Sequence, residues 1–275
     1  MRTLLFMLML ITALPTMAAE PKPFPGKTSD WNGFVKHDFQ VDGKNVIVVE
    51  PKTPLPGRPW VWRGEFFDSF PNADIALVKA GWHVAYIQVP NLFGSPKAKP
   101  SWEKFYTVLT SEYGLHPKPG LIGLSRGGLY VMSWATANPD KTLCVYLDNA
   151  VCDFKSWPGG KPKGLGTGYG SPQEWQNLLK AFDFQNDQEA IAYKFNPVDH
   201  LEPLAKAKIP ILLVYGDSDK AVPASENSDI VFERYKKLGG DVERIVKKGG
   251  DHHPHGLPDP KPVVEWFTKI LERQK

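Results

Sequence analysis

Residues 119–138 constrain the rest of the chain most. A short apolar strand, Gly120-Leu121-Ile122-Gly123-Leu124, runs into Ser125-Arg126-Gly127-Gly128, and an apolar stretch of helical length then continues to Asn138-Pro139. A serine with glycine two residues to either side, between a strand and a helix, describes a sharp turn that lifts one hydroxyl above a sheet. Glycine is needed sterically, because the serine backbone is strained and side chains at the flanking positions would strike the strand or the helix. The helix directs its N-terminal N–H groups and positive dipole end at that hydroxyl, which suits a developing negative charge. The five-residue pattern alone also fits a glycine-rich turn with a solvated serine. The strand before it and the helix after it favour the first reading.

The same alternation extends in both directions. Strands are predicted at 34–41, 45–50, 59–63, 83–89, 120–124, 142–148, 209–215 and 242–246, and helices at 72–80, 102–113, 227–238 and 262–273, besides the one after Ser125. Such alternation calls for a mostly parallel sheet covered on both faces, a three-layer α/β architecture. The first two strands, joined at Gly43, read as a hairpin that gives the sheet an antiparallel edge. Residues 20–32, rich in Pro, Lys and Gly, are expected to wrap the surface. Residues 151–207 break the rhythm and read as an insertion after the sixth strand. With 275 residues and 42% hydrophobic content, residues 20–275 can bury a large core as one domain.

The N-terminus has a different character. Met1-Arg2 precedes an apolar run over 4–14, followed by Pro15-Thr16-Met17-Ala18-Ala19. This is the layout of a secretory signal peptide at 1–19, cut after Ala18 or Ala19, although an uncleaved anchor is the competing reading. The run is short for a membrane span. The mature protein is therefore expected to be secreted or periplasmic, without a membrane partner. A net charge of +3 is too mild to imply nucleic acid. Cys144 and Cys152 are either a disulfide, which export permits, or two separate thiols.

A serine hydroxyl needs a base to take its proton and an acid to orient that base. The strand ending at Tyr215 leads into Gly216-Asp217-Ser218-Asp219-Lys220-Ala221-Val222-Pro223. The last strand leads into Gly249-Gly250-Asp251-His252-His253-Pro254-His255. Serine, aspartate and histidine thus follow in one of the chain orders known for this chemistry. From about Asn45 onward the chain resembles enzymes of the α/β-hydrolase fold. The resemblance implies Ser125 as nucleophile, Asp219 as acid and His252 as base, and it implies no cofactor. Asp217 and Asp148, both near strand ends, are alternative acids, and His253 and His255 are alternatives to His252. Three histidines beside Asp251 would also suit a metal. No carboxylate lies at metal-motif spacing, so none is assigned. His37, His83, His116 and His200 read as structural or surface residues.

Two N–H donors are needed for the oxyanion. The resemblance points to Arg126, just after the nucleophile, and to Arg63 in the loop after the third strand, unless Arg63 and Glu65 pair structurally. Secreted glucuronoyl esterases of this fold also place arginine after the serine, where its guanidinium assists the oxyanion. The competing reading pairs Arg126 with a carboxylate such as Asp148. Trp62 and Trp157 are candidate substrate-binding aromatics, with Phe66 and Trp175 beside them, since tryptophan faces suit sugar rings. The sequence thus reads as a secreted serine hydrolase for a small-molecule or polysaccharide ester. A serine peptidase, made less attractive by the lack of room for a propeller domain ahead of the site, and a non-catalytic binding protein are the alternatives.

Overall fold

The computed structural model describes residues 21–274, so the leader expected at 1–19 lies outside the described residues. The strands are β1 (Lys27–Trp31), β2 (Phe34–Val41), β3 (Lys44–Glu50), β4 (Trp60–Arg63), β5 (His83–Ile87), β6 (Gly120–Leu124), β7 (Cys144–Asp148), β8 (Ile211–Gly216) and β9 (Val242–Lys247). They form one sheet in the order β1-β2-β3-β5-β4-β6-β7-β8-β9. Pairing is antiparallel from β1 through to β5 and parallel from there to β9.

Eight of these strands were expected, and the ninth is a correction. Residues 27–31 do not wrap the surface but add an edge strand to β2. Asn32 and Gly33 both take positive φ, 52° and 82°, the backbone of a two-residue turn whose twist matches paired strands. Asp42-Gly43 makes the same turn between β2 and β3, with φ of 49° and 71°. Trp31 and Phe34, flanking the first turn, are buried together beneath it.

The central strands are apolar on both faces, as a covered parallel sheet requires. In β4, Trp60 and Trp62 point to one face and Val61 to the other; in β8, Ile211, Leu213 and Tyr215 oppose Leu212 and Val214. Helices α1 (Asn72–Lys79) and α9 (Lys261–Glu272) cover the Val61 face. On the opposite face lie α2 (Lys99–Thr107) and α3 (Gly127–Ala137). Between β7 and β8 come α4 (Gly160–Lys163), α5 (Pro172–Phe182), α6 (Asp187–Ala192) and α7 (Glu202–Lys206), and α8 (Ser228–Lys237) joins β8 to β9. Among the described residues no helix is long and apolar enough to cross a membrane.

Cys144 and Cys152 are both buried and unpaired. They belong to the cores on opposite faces of the sheet, and that separation settles the disulfide question in favour of two thiols.

At the end of β4, the buried Arg63 side chain pairs with Asp74 in the first turn of α1. It also donates to the carbonyls of Glu65 (3.1 Å), Phe66 (3.2 Å) and Ser69 (2.6 Å), so one guanidinium shapes the whole loop after β4. Arg63→Met strands the Asp74 carboxylate in the core and should cost about 3–5 kcal/mol in urea unfolding. Adding Asp74→Leu should recover the part due to the stranded charge.

Candidate active site

Ser125 stands between β6 and α3 with φ of 47°, a left-handed conformation that costs a non-glycine residue about 1–3 kcal/mol. Besides the Gly128 N–H, which donates to Ser125 O at 3.0 Å within the turn, two backbone bonds tie it to the neighbouring strand. The Ser125 N–H donates to Asp148 O (3.0 Å), and the Val151 N–H donates to Ser125 O (2.8 Å). A Cβ on Gly123 would come within 2.6 Å of Val131 and 3.0 Å of the Gly127 carbonyl, so no larger residue fits there. At Gly127 the steric expectation is weaker. A Cβ there would meet the Glu65 nitrogen at 3.5 Å, an ordinary contact, and the tighter helical glycine is Gly128, 2.6 Å from the Val151 carbonyl.

Three loops at the C-terminal ends of parallel strands converge on this serine. Ser125 Oγ lies 2.9 Å from His252 Nε2, and His252 Nδ1 lies 2.7 Å from Asp219 Oδ2. The other carboxylate oxygen of Asp219 accepts the N–H groups of Ala221 (2.9 Å) and Val222 (2.8 Å), which fixes its orientation. Asp219 is buried, and the His252 ring is largely so.

The alternatives have other occupations. Asp217 accepts the Gly249 N–H at 2.7 Å and ties the two loops together. Asp148 is fully buried and accepts from His255 Nδ1 (3.0 Å), the Gly256 N–H (2.8 Å) and the Tyr146 hydroxyl (2.6 Å). Burial pushes the Asp148 carboxyl up, but His255, Lys247 and Tyr146 outweigh it and hold the group below the usual range. The His253 and His255 rings are shifted down, chiefly by burial.

Sequence reasoning missed Asn149. Buried and at φ of 40°, it accepts the Gly216 N–H (2.8 Å) and donates to the His252 carbonyl (2.7 Å) and the Asp251 carbonyl (3.3 Å). One side chain thus links the ends of β7 and β8 to the histidine loop. An asparagine directly after a strand-terminal aspartate was the available signal, since asparagine tolerates positive φ and offers both donor and acceptor.

The donor assigned to Arg63 needs correcting. Arg63 lies inside the ladder, in register with Tyr86 and Ile122, and the Gly64 N–H is taken by the Ile122 carbonyl at 2.9 Å. The strand runs to its end before the loop opens, so the first N–H beyond it without an acceptor belongs to Glu65. Among the described residues no acceptor takes the N–H of Glu65 or of Arg126. Their side chains pair bidentately, Arg126 Nε and Nη2 to the two Glu65 oxygens at 2.8 and 2.7 Å, while Nη1 reaches Glu174 at 3.0 Å and Asn91 at 3.4 Å. The guanidinium therefore faces carboxylates, not the serine, and its partner is not Asp148. Burial works against its charge, yet Glu65 outweighs burial and keeps the Arg126 pKa raised. For Glu65, burial wins and its pKa is raised despite Arg126.

Trp62 is not a substrate-binding residue. It is 3% exposed and packs on Trp134 (ring centroids 4.8 Å apart) and Phe105 (4.9 Å) in the core. β4 points it into the helical layer, away from the rim. Trp175 is likewise buried, its Nε1 donating to Asp187. Trp157 is half-buried beside Phe93, whose ring lies under the Arg126 guanidinium, and Phe66 faces the same guanidinium.

No protein-family model matches the sequence, and no curated protein does. Solved structures do. The chain is similar to a puromycin-hydrolyzing peptidase of Mycobacterium tuberculosis, with a TM-score of 0.64 and 14% identity over 86% of this chain and 38% of that one. The acylaminoacyl peptidase of Pyrococcus horikoshii aligns with a TM-score of 0.62 and 15% identity over 89% and 43%. The chain has the α/β-hydrolase fold. A bacterial membrane phospholipase A of the same α/β-hydrolase fold aligns over 87% of this chain and 86% of its own, at 20% identity and a TM-score of 0.51. Against the two peptidases, the chain spans only 38% and 43% of their length.

The tie made by Asn149 is open to direct measurement. Asn149→Ala leaves the Gly216 N–H without its acceptor, and a buried unsatisfied group costs about 1–3 kcal/mol. Urea unfolding should show a loss of at least that size, because alanine also disfavours the positive φ.

Proposed function

We propose that the protein is an exported serine hydrolase that cleaves a carboxylic ester through an acyl-enzyme. The reading rests on one observation above all, the unbroken hydrogen-bonded line Ser125 Oγ, His252, Asp219 at the mouth of the elbow. Ser125 Oγ attacks the ester carbonyl carbon while His252 Nε2 takes its proton, and Asp219 holds the imidazolium through Nδ1. The tetrahedral oxygen lies against the Arg126 and Glu65 N–H groups, the two free donors on facing loops. His252 returns the proton to the departing alcohol. Water then repeats the sequence on the acyl-serine and releases the acid.

The Glu65–Arg126 pair acts on the same step at one remove. It joins the side chains of the two residues whose backbones supply the donors, so it sets the distance between those donors. Bidentate geometry gives the pair its rigidity.

A carbohydrate ester is the favoured substrate class. A groove of about 720 Å³ opens beside Glu65 and Phe66, with none of Ser125, Asp219 and His252 in its lining, and holds Gln40, Asn45, Gln88, Phe67 and Tyr86 among others. Amides with aromatic faces suit the hydroxyls and apolar faces of sugar rings. Export, read from the leader at 1–19, fits an extracellular polymer. The peptidase neighbours make an amide the competing substrate.

Three measurements test the reading. A fluorophosphonate probe should label the wild type and leave Ser125→Ala unlabelled; an unlabelled wild type would return the chain to the binding-protein reading. Asp219→Asn should lower ester turnover by about 10⁴-fold, as loss of the orienting carboxylate does in serine hydrolases. Methyl-esterified pectin, acetylated xylan, a glucuronate ester and an aminoacyl amide, offered side by side, should release methanol, acetate or uronic acid faster than amine.

The oxyanion assignment has its own test. Glu65→Gln or Arg126→Lys should lower kcat by about ten- to a hundredfold, less than removal of a donor outright, with KM little changed. A change confined to KM would instead place the pair in substrate binding.

A further inference from the structure

The loop after β9 carries three imidazoles, and the proton relay uses one. The rings of His252, His253 and His255 lie 4.8, 4.9 and 5.0 Å apart, centroid to centroid, each pair inclined at 65–77°. One nitrogen from each ring falls within 4.8 Å of the other two. Three nitrogens about 2.1 Å from a tetrahedral zinc ion stand roughly 3.4 Å apart, so side-chain movement on the order of 1 Å closes the set.

The surroundings of the rings carry the argument further. His252 Nδ1 is committed to Asp219 (2.7 Å) and His255 Nδ1 to Asp148 (3.0 Å), both carboxylates buried. A histidine metal ligand commonly holds a carboxylate on one nitrogen and gives the other to the ion, which fixes the tautomer and strengthens the donor. Here two rings have that support, and in both the other nitrogen is Nε2: that of His252 faces the Ser125 hydroxyl at 2.9 Å, and that of His255 has no hydrogen-bond partner among the described residues. His253, the exposed third ring, stacks on Phe70 at 5.3 Å and 15°, and no polar atom among the described residues bonds to it. The charges around the loop favour a cation. Asp219 and Asp251 act on His253, and Asp148 backs His255; the opposing ammonium groups are Lys247, 3.7 Å from Asp148, and Lys220, which acts on Asp251. Neither carboxylate could be found by spacing, since Asp148 and Asp219 come from other loops.

We infer that His252, His253 and His255 form a binding site for a divalent transition ion of the zinc type, and that the ion silences the hydrolase by taking the His252 Nε2 lone pair. Imidazole donors suit zinc and its neighbours and leave magnesium and calcium aside. An Nε2 bonded to metal cannot accept the Ser125 proton, so metal binding and acyl transfer exclude each other. The inhibitory half rests on the function proposed above; the binding half does not.

The test uses the full chain, freed of metal by a chelator, and Zn²⁺ or Co²⁺ alone as probe. Co²⁺ should bind one equivalent and give the intense visible absorption of a tetrahedral site, a readout independent of activity. Zn²⁺ should abolish both p-nitrophenyl acetate turnover and fluorophosphonate labelling, and EDTA should restore them. His253→Ala touches neither Ser125 nor Asp219 and should keep its turnover while losing more than about tenfold in affinity by both readouts, beyond what loss of a supporting group costs. Ser125→Ala should still bind Co²⁺. The inference is overturned by the absence of a Co²⁺ spectrum, by binding and inhibition that survive unchanged in both His253→Ala and His255→Asn, or by turnover that rises with Zn²⁺. A wild type that binds Co²⁺ but has no esterase activity would remove the inhibitory half together with the function reading and leave the site standing.

Discussion

The left-handed turn at Ser125 is the constraint on which the other features depend. A serine at φ of 47° is unfavourable in isolation, and the surrounding chain compensates from both sides. Its N–H is fixed to the end of β7 and its carbonyl to the segment just beyond, so the elbow is bolted to the neighbouring strand as well as to its own helix. The steric demand falls on Gly123 and Gly128, where any side chain would collide with packed backbone or with Val131. Strain at such a position is stable only when the surroundings over-determine it. Here the surroundings are a sheet buried on both faces, whose stiffness transmits the position of one strand end to the next.

Around that fixed point the polar groups work in pairs across loops. Asn149 joins β7, β8 and the histidine loop; Asp217 joins the acid loop to Gly249; Asp148 holds His255 and Gly256. Glu65 and Arg126 do the same between the loop after β4 and the start of α3. Every one of these bonds connects residues far apart in sequence, and most are shielded from water, where hydrogen bonds are stronger and leaving one unmade is expensive. The rim of the sheet is therefore rigid although it is built from loops, and rigid loops are what a relay with tolerances of a few tenths of an ångström needs.

How much of this could be read from the chain depends on the distance over which each signal acts. The alternation of strands and helices is local, and the sheet follows it closely, including both terminal helices and the leading hairpin. Asn32-Gly33 was an equally local signal, two residues able to take positive φ between Trp31 and Phe34, and it was masked by the prolines and lysines ahead of it. The elbow and the two loops behind Ser125, Asp219 and His252 are short motifs and lie together in the structure. Pairings were another matter. Arg63 was read both as the last residue of its strand and as a member of the donor loop; the strand placement holds, and its side chain binds Asp74 and three carbonyls, pairings that no local pattern marks. Trp62 looked like a rim aromatic because composition says nothing about which face of a strand a residue takes at a buried position. Arg126 and Glu65 are 61 residues apart, and no periodicity connects them.

In the histidine loop one geometry would serve both of the chemistries proposed for it. A general base needs an imidazole with a fixed tautomer, an exposed Nε2 lone pair and a carboxylate behind Nδ1 to stabilise the cation. A transition-metal ligand is served by the same fixed tautomer and free lone pair, and a carboxylate is one of the partners that commonly hold its other nitrogen. Asp219 meets the requirement for His252, and Asp148 meets it for His255 although His255 stands outside the Ser125–His252–Asp219 line. What separates a base from a ligand is then not the ring or its support but the number of lone pairs that face the same point. A single Nε2 beside a hydroxyl takes a proton. Where three imidazoles can reach one ion, as proposed for this loop, the divalent ion and the proton would compete for the same Nε2 lone pair, the ion with twice the charge.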